Sequence, residues 1–472
     1  MTKTLIMKFG GTSVGNAEAI RQAANLVIQG APNGEAIVVI VSAMRGVTDA
    51  LVQGALTAAQ GDEQTYRGVV SDLRVRHTLV IAELLSESAQ RTELLKTVEA
   101  YLDEFAAFCR SVHVLGEVTA RAMDAISSLG ERMNARIFAA FLQEQGTPAR
   151  AVDATDLIVT DRRFQEAAPL MEATQQRVQA HLMPLIEAGE TPVVTGFIGA
   201  TEDGITTTLG RGGSDYSAAI LGAALDAAEV WTWTDVDGVL TTDPRIVPGA
   251  RIIPELSYSE IGELAYFGAK VLHPKTIRPV VERGIPLWVK NTFNPTCPGT
   301  RIVQQPTSTP GTVKAVTAIP GLSMVTVEGR GMMGVPGIAA RTFAAVASQG
   351  ANVLMISQAS SEQSICFLIP TGDVSTVITA LERELALELS RRDIDRVWSM
   401  DDVVIVSAVG AGMRGTPGVA ARLFHALATT DINVIAIAQG SSECSISLVV
   451  SGDQATEAVR QIHSEVIFYE QA

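Results

Sequence analysis

Four cysteines in 472 residues, none in a CxxC pair and none at a metal-site spacing from histidine, argue against a disulfide framework and a zinc site. No stretch approaches the roughly 18 apolar residues of a membrane span. The start, "MTKTLIMKFGG", holds too short an apolar run for a secretory leader. Prolines number only 19, and charged residues make up 18% against 47% hydrophobic, a balance that belongs to folded, enzyme-like chains rather than disordered ones. Positive charge is in deficit: a formal net charge of −15 argues against broad nucleic-acid binding, though a local basic pocket remains compatible with it. The phosphate-loop motif GxxxxGK[ST] is missing, as is any Ser–His–Asp set or metal-hydrolase cluster. A cytoplasmic protein with reduced cysteines and neither nucleic acid nor membrane as partner is expected.

At this length two or three domains are expected. Apolar runs at "TLIMKF", "EAIVVIVSA" (35–43), "TPARAVDA" (147–154), "ETPVVTGFIGA" (190–200), "AAEVWTWTDVDG" (227–238) and "IPLWVKN" (285–291) read as strands, with helical patterns between most of them. This alternation predicts an α/β sandwich with a mainly parallel sheet, helices on both faces and functional loops at the C-terminal strand ends. Residues 62–112, charged and poor in glycine, read as a helical excursion whose charges face solvent. "QQPTSTPGT" (304–312) reads as a linker. Beyond it the chain repeats at an offset of 81 residues: Pro336 pairs with Pro417, Arg341 with Arg422, Asn352 with Asn433, and Gln358 with Gln439. Two copies suit tandem α+β modules better than a solenoid.

Each repeat contains GxGxxG, at Gly329, Gly331 and Gly334 and at Gly410, Gly412 and Gly415. A dinucleotide fold would place an acidic residue at the end of the following strand to hold a ribose, but Gln358 and Gln439 stand there. Tight turns and a small-carboxylate site both remain open for these loops.

"TTLGRGGSDYSA" (207–218) concentrates Gly210, Arg211, Gly212, Gly213, Ser214 and Asp215 where a helical pattern begins. A helix start with free N–H groups attracts anions, and an arginine fork suits a carboxylate or phosphate. A simple N-cap would explain Ser214 or Asp215 but not the glycines and arginine beside them. Lys8 runs into Gly10–Gly11, a second loop that a phosphate can approach. Asp235, Asp237 and Asp243 follow a strand in "WTWTDVDGVLTTDPR", and Lys270 stands near His273 in "FGAKVLHPKT". Two lysines, two glycine loops and no nucleophile–base pair point to phosphoryl transfer, which needs neutralised charge and alignment.

Taken in order, "KFGGTSV", "VSAMRGVTD", "LGERMNARI", "TGFIGATEDGITTTLGRGGSDYSA", "TDVDGVLTTDPR" and "YFGAKVLHPKT" resemble the aspartate kinases of the amino-acid kinase family, and the repeats resemble that family's tandem ACT domains. The resemblance implies a kinase domain over residues 1–303, a linker over 304–313 and ACT domains over 314–400 and 401–472. It implies ATP-dependent phosphorylation of the β-carboxylate of L-aspartate, with Mg2+ carried by the nucleotide phosphates rather than by a protein metal site. By position, Lys8, Asp215 and Lys270 are the catalytic residues. Ser42, Thr48, Glu131, Arg211, Gly212, Gly213 and Ser214 receive the aspartate. Lys8, Gly10, Gly11, Thr234, Asp235, Leu240, Arg245 and Lys270 bind the nucleotide; relatives often carry tyrosine where Leu240 stands. Asn352, Gln358, Asn433 and Gln439 would bind an end-product amino acid, threonine before lysine. The modules would also join the chain into a homodimer or homotetramer. A fused homoserine dehydrogenase is not expected, because the chain stops just after the second repeat. The rival readings are a kinase for another amino acid, such as glutamate, and a non-catalytic amino-acid sensor on the same fold.

Overall fold

β1 (Thr4–Phe9) is buried along its whole length, and its side chains divide between two layers. Leu5, Met7 and Phe9 enter one large core cluster. Ile6 turns toward the helix Gly213–Ala224, close behind Gly222. A strand covered on both faces reads as continuous hydrophobicity, as "TLIM" does. Around it the computed structural model, which describes residues 3–266, 272, 274–306, 312–332, 335–358, 363–440 and 442–467, builds two compact units.

The first unit contains residues 1–239, 252–258 and 271–306. Its strands after β1 are β2 (Ala36–Val41), β3 (Ala149–Val152), β4 (Val159–Thr160), β5 (Thr191–Thr195), β6 (Ile198–Thr201), β7 (Thr206–Thr208), β8 (Glu229–Thr234), β9 (Glu255–Ser257), β10 (Leu287–Asn291) and β11 (Thr300–Val303). Eight form one sheet in the order β3-β5-β2-β1-β8-β10-β11-β9, parallel throughout except between β10 and β11. β4, β6 and β7 form a small separate sheet. The expected α/β sandwich with a mainly parallel sheet is therefore present. β1, β2 and β8 end side by side, with Phe9 opposite both Val41 and Trp233, so the loops that follow them emerge together.

The helical excursion consists of Glu63–Leu84 and Ala89–Leu115. Gly54 admits the Phe105 ring: a Cβ there would meet it at 2.8 Å. Most charges of the excursion do face solvent, but Arg76 does not conform. Its Nη2 donates to the carbonyls of Gly15 (3.0 Å) and Arg45 (2.8 Å), tying together the loops after β1 and β2.

The second unit contains residues 240–251, 259–270 and 307–472. Its strands are β12 (Ala315–Glu328), β13 (Met355–Gln358), β14 (Ser364–Pro370), β15 (Arg396–Val409), β16 (Ala436–Gln439) and β17 (Ser445–Ser451). They form one antiparallel sheet in the order β13-β14-β12-β15-β17-β16. The end strands β13 and β16 also approach one another, so the sheet curls. Each repeat supplies two helices, Ile338–Ser348 with Val374–Glu384 and Val419–Ala428 with Ala455–Ile467. Each pair covers its own core.

The two modules exchange strand ends. β12 and β15 each run 14 residues. Residues 324–328 pair with 396–400 beside β14, whereas 315–319 pair with 405–409 beside β17. Val313 and Val316, at the start of the first repeat, lie in the core of the second. Ile394, just before β15, lies in the core of the first.

The glycine loops of the repeats use their free N–H groups differently. In the first, the Arg330 N–H points to Asp395 Oδ2 at 3.4 Å. At the matching position 81 residues on, the Ala411 N–H donates to Glu260 Oε1 at 2.7 Å. The residue matching Asp395 is Lys314, which holds the same Glu260 carboxylate at 3.0 Å. Glu260 is fully buried, and burial of a carboxylate needs a charged or hydrogen-bonded partner of this kind. A charge reversal between repeats thus gives the second module a carboxylate drawn from the helix Tyr258–Tyr266.

Candidate functional site

The loops after β1 and β2 are tied by backbone hydrogen bonds: Ser42 N–H donates to Phe9 O and Arg45 N–H to Gly11 O, both at 3.1 Å. With the helix Gly213–Ala224 and the broken helix Ala120–Ser127/Leu129–Glu144, they line an open cavity of about 840 Å³. Lys8, Gly10, Gly11, Ser42 and Thr48 line one side. Gly210 to Asp215 line another, and Glu131 a third.

The segment "LGRGGSDYSA" (209–218) forms a helix start without a side-chain cap. Gly212 is the N-cap residue, at φ 72°, with no side-chain hydrogen bond to the first turn. Gly210 also has a positive φ, and a Cβ on Gly213 would lie 2.6 Å from the Phe197 ring. Ser214 and Asp215 therefore sit in the first turn rather than at the cap, and the simple N-cap account fails. Gly213 N–H already donates to Gly210 O at 2.9 Å; the remaining N–H groups of the first turn and the helix dipole favour negative charge here. Arg211 is exposed at the cavity. Lys8, only 6% exposed, places its Nζ 2.6 Å from Asp215 Oδ1.

Glu131 is 3% exposed, and its Oε2 has no hydrogen-bond partner among the described residues. Burial pushes its pKa up to about 8, against a smaller opposing effect of the Ala43 N–H. Its helix presses on the loop after β2, since a Cβ on Gly130 would lie 2.8 Å from that of Ala43. The site therefore combines cationic and amide-rich segments with a buried carboxyl group, Glu131, that has no cationic partner among the described residues.

Other residues fall elsewhere. Thr234 ends β8 and Asp235 follows it, with Thr234 Oγ1 donating to Asp235 Oδ1 at 3.2 Å; they do not line this cavity. Leu240 and Arg245 belong to the second unit, and exposed Arg245 pairs with Asp243 at 2.6 Å. Lys270 and its neighbour His273 lie outside the described residues. Asn352 and Asn433 are exposed, as are Gln358 and Gln439, which end the edge strands β13 and β16. Among the described residues no group of three or more His, Cys, Asp or Glu side chains converges as a metal site. None of their helices is long and apolar enough to cross a membrane.

Two site residues carry no sequence signal of their own. Asn134, inside "LGERMNARI", donates from Nδ2 to Ser42 O at 2.6 Å. Asp124, fully buried, also lines the cavity. It accepts from Gln165 N–H (3.0 Å to each oxygen), from Thr208 N–H (3.0 Å) and from Thr208 Oγ1 (2.7 Å). Burial pushes its pKa up, and these donors pull it back. Its spacing of seven residues from Glu131 suggests a shared helix face, but nothing in "ARAMDAISS" separates an inward aspartate from a solvated one.

Comparison with known proteins gives consistent results. Residues 3–291 match the amino acid kinase family, and residues 325–385 and 406–466 match an ACT domain. The chain is 39% identical to bifunctional aspartokinase/homoserine dehydrogenase 1 of Zea mays, over 97% of its own length and 50% of that protein. It thus spans about half the length of the bifunctional relatives it matches. It is 34% identical to aspartokinase 3 of Arabidopsis thaliana, covering 98% of this chain and 81% of that one. E. coli aspartokinase III superposes with a TM-score of 0.80 at 29% identity in its complex with lysine and aspartate, covering 98% of this chain and 99% of that one. With aspartate and ADP bound the score is 0.79 at 31% identity, covering 98% and 100%.

Proposed function

The chain belongs to the amino acid kinase family, in its aspartokinase branch with paired ACT domains, and from that premise we propose that it phosphorylates the β-carboxylate of L-aspartate with ATP. One β-carboxylate oxygen attacks the γ-phosphorus, the bond from that phosphorus to the bridging oxygen breaks, and ADP leaves with the electron pair. The products are 4-phospho-L-aspartate and ADP. The nucleophile is already ionised near neutral pH, so no strong base is needed. The barrier lies in bringing two anions together.

The observation that carries this reading is the buried Glu131 carboxyl group, whose Oε2 has no hydrogen-bond partner among the described residues, in the same cavity as the arginine-bearing helix start. An amino acid with one ammonium and two carboxylates complements that pattern. Glu131 takes the ammonium and Arg211 the α-carboxylate, while Ser42 and Thr48 line the pocket. The backbone of Gly212, Gly213 and Ser214 forms the cradle for the anionic reacting groups, with the Gly213 N–H holding the bend through Gly210 O and the other amides facing the ligand. Lys8, held by Asp215, meets the phosphoryl group in flight, and Gly10 and Gly11 let phosphate approach the backbone. Thr234, Asp235, Leu240, Arg245 and Lys270 complete the nucleotide contacts. Magnesium, held through the ATP phosphates, supplies further charge neutralisation. Feedback by threonine or lysine is assigned to Asn352, Gln358, Asn433 and Gln439; the lysine bound to E. coli aspartokinase III supports the class of effector. Assembly through the ACT modules and a cytoplasmic location complete the proposal.

The test is ADP release with aspartate, with glutamate and with neither, repeated with threonine and with lysine. Release is expected with aspartate alone, lowered by threonine and more weakly by lysine. Equal release with glutamate would refute the substrate, and indifference to both amino acids would refute the regulation. Arg211→Ala is expected to raise the half-saturating aspartate concentration by about 10- to 100-fold, the range for a lost hydrogen bond to a charged group. An unchanged value would remove the anion clamp from the account.

A further inference from the structure

Asp124 joins three parts of the site that are far apart in sequence. It stands on the helix Ala120–Ser127, seven residues before Glu131. Through Thr208 it grips the last residue of β7, three positions before Arg211. Through Gln165 N–H it grips the loop whose Gln165 carbonyl abuts Gly210, where a Cβ would approach that oxygen to 2.9 Å. That loop is tied to the same strand end, since Ala167 N–H donates to Thr208 O at 2.9 Å. One buried carboxylate thus binds the helix that leads to the ammonium partner to the strand that delivers the carboxylate partner.

We propose that Asp124 is a positioning residue that sets the spacing between Glu131 and Arg211, and with it the selection of the α-amino acid end of the substrate. The proposal deepens the aspartate-kinase reading and rests on it. Both oxygens of Asp124 are committed to protein donors, so its part is to hold those donors in place. It acts by fixing where two recognition groups stand, and displacements near 1 Å in such groups carry kinetic effects of about 10²-fold.

Asp124→Asn keeps the shape but turns one oxygen into an amide nitrogen, which then faces a backbone N–H of Gln165 or Thr208 in either orientation. The aspartate KM is expected to rise at least about tenfold, with the ATP KM within about twofold of the parent. Thr208→Val removes only the Oγ1 donor and is expected to shift the aspartate KM in the same direction by less. Both variants are measured beside the parent, with melting temperatures. A parent enzyme without aspartate-dependent ADP release would overturn the functional reading and this inference together. An active parent with a folded Asp124→Asn of unchanged aspartate KM would overturn this inference alone. A parallel rise of both KM values with a lowered melting temperature would do the same, because it marks general loosening. Should Asp124→Asn fail to fold, Thr208→Val decides: a selective rise in aspartate KM supports the role, and an unchanged value ends it.

Discussion

Lys8→Met is expected to lower kcat by about 10²- to 10³-fold, the usual loss when one preorganised donor to developing charge is removed. The residue lies at the end of a strand buried on both faces, so methionine fills the same volume, and the change falls on charge rather than packing. Its ammonium is nearly sequestered from water and held against Asp215 at 2.6 Å, where its field is less screened than at the surface. Lys8→Arg is not expected to rescue turnover, because a planar fork does not replace a compact point charge in this space. Because Lys8 and Asp215 act as a unit, the double variant Lys8→Met/Asp215→Asn should lose little more than Lys8→Met alone. Steady-state rates at saturating aspartate and ATP decide the matter; a variant that kept more than about a tenth of the parental kcat would not fit this role.

Glu131→Gln is expected to move function and stability in opposite directions. Aspartate affinity should fall by about 10²-fold or more, since an ammonium would enter a buried position with no counter-charge. The ligand-free protein should nevertheless become more stable, and the sign follows from burial. The carboxyl group titrates near 4.5 when unfolded and near 8 when folded. Between those values the folded protein holds a proton that the unfolded chain has released, so stability declines as pH rises through that window and levels off above it. Glutamine has no such slope. The melting-temperature advantage of the variant should therefore widen from about pH 5 to about pH 8. In the parent, the aspartate KM should fall over the upper part of the same range as Glu131 ionises. Melting curves and aspartate saturation across pH test both halves, and parallel curves for the two proteins would show that Glu131 is not a buried, unpaired acid.

Much of this architecture is legible in the chain because its signals are local. "TLIMKF" followed by two glycines gives a buried strand end, and the 81-residue repeat gives two modules. The glycines around Arg211 mark a backbone that must bend and then approach Phe197 closely. What escapes is set by long-range geometry. Asp124 looks like any helical aspartate until Gln165 and Thr208 arrive from distant segments. Arg76 looks like one more solvated charge of the excursion until it meets the Gly15 and Arg45 carbonyls. The repeat pattern places strands in each module but does not say which partner a 14-residue strand takes at each end.

The split pairing of the two 14-residue strands forbids cutting the protein between its repeats. A fragment that ended between residues 395 and 401 would strip the first module of a border strand, and one that began there would deprive the second of residues 313–319. Neither half is a free-standing object. Dissection, domain grafting or the loss of one copy by deletion must take the pair as a single indivisible block.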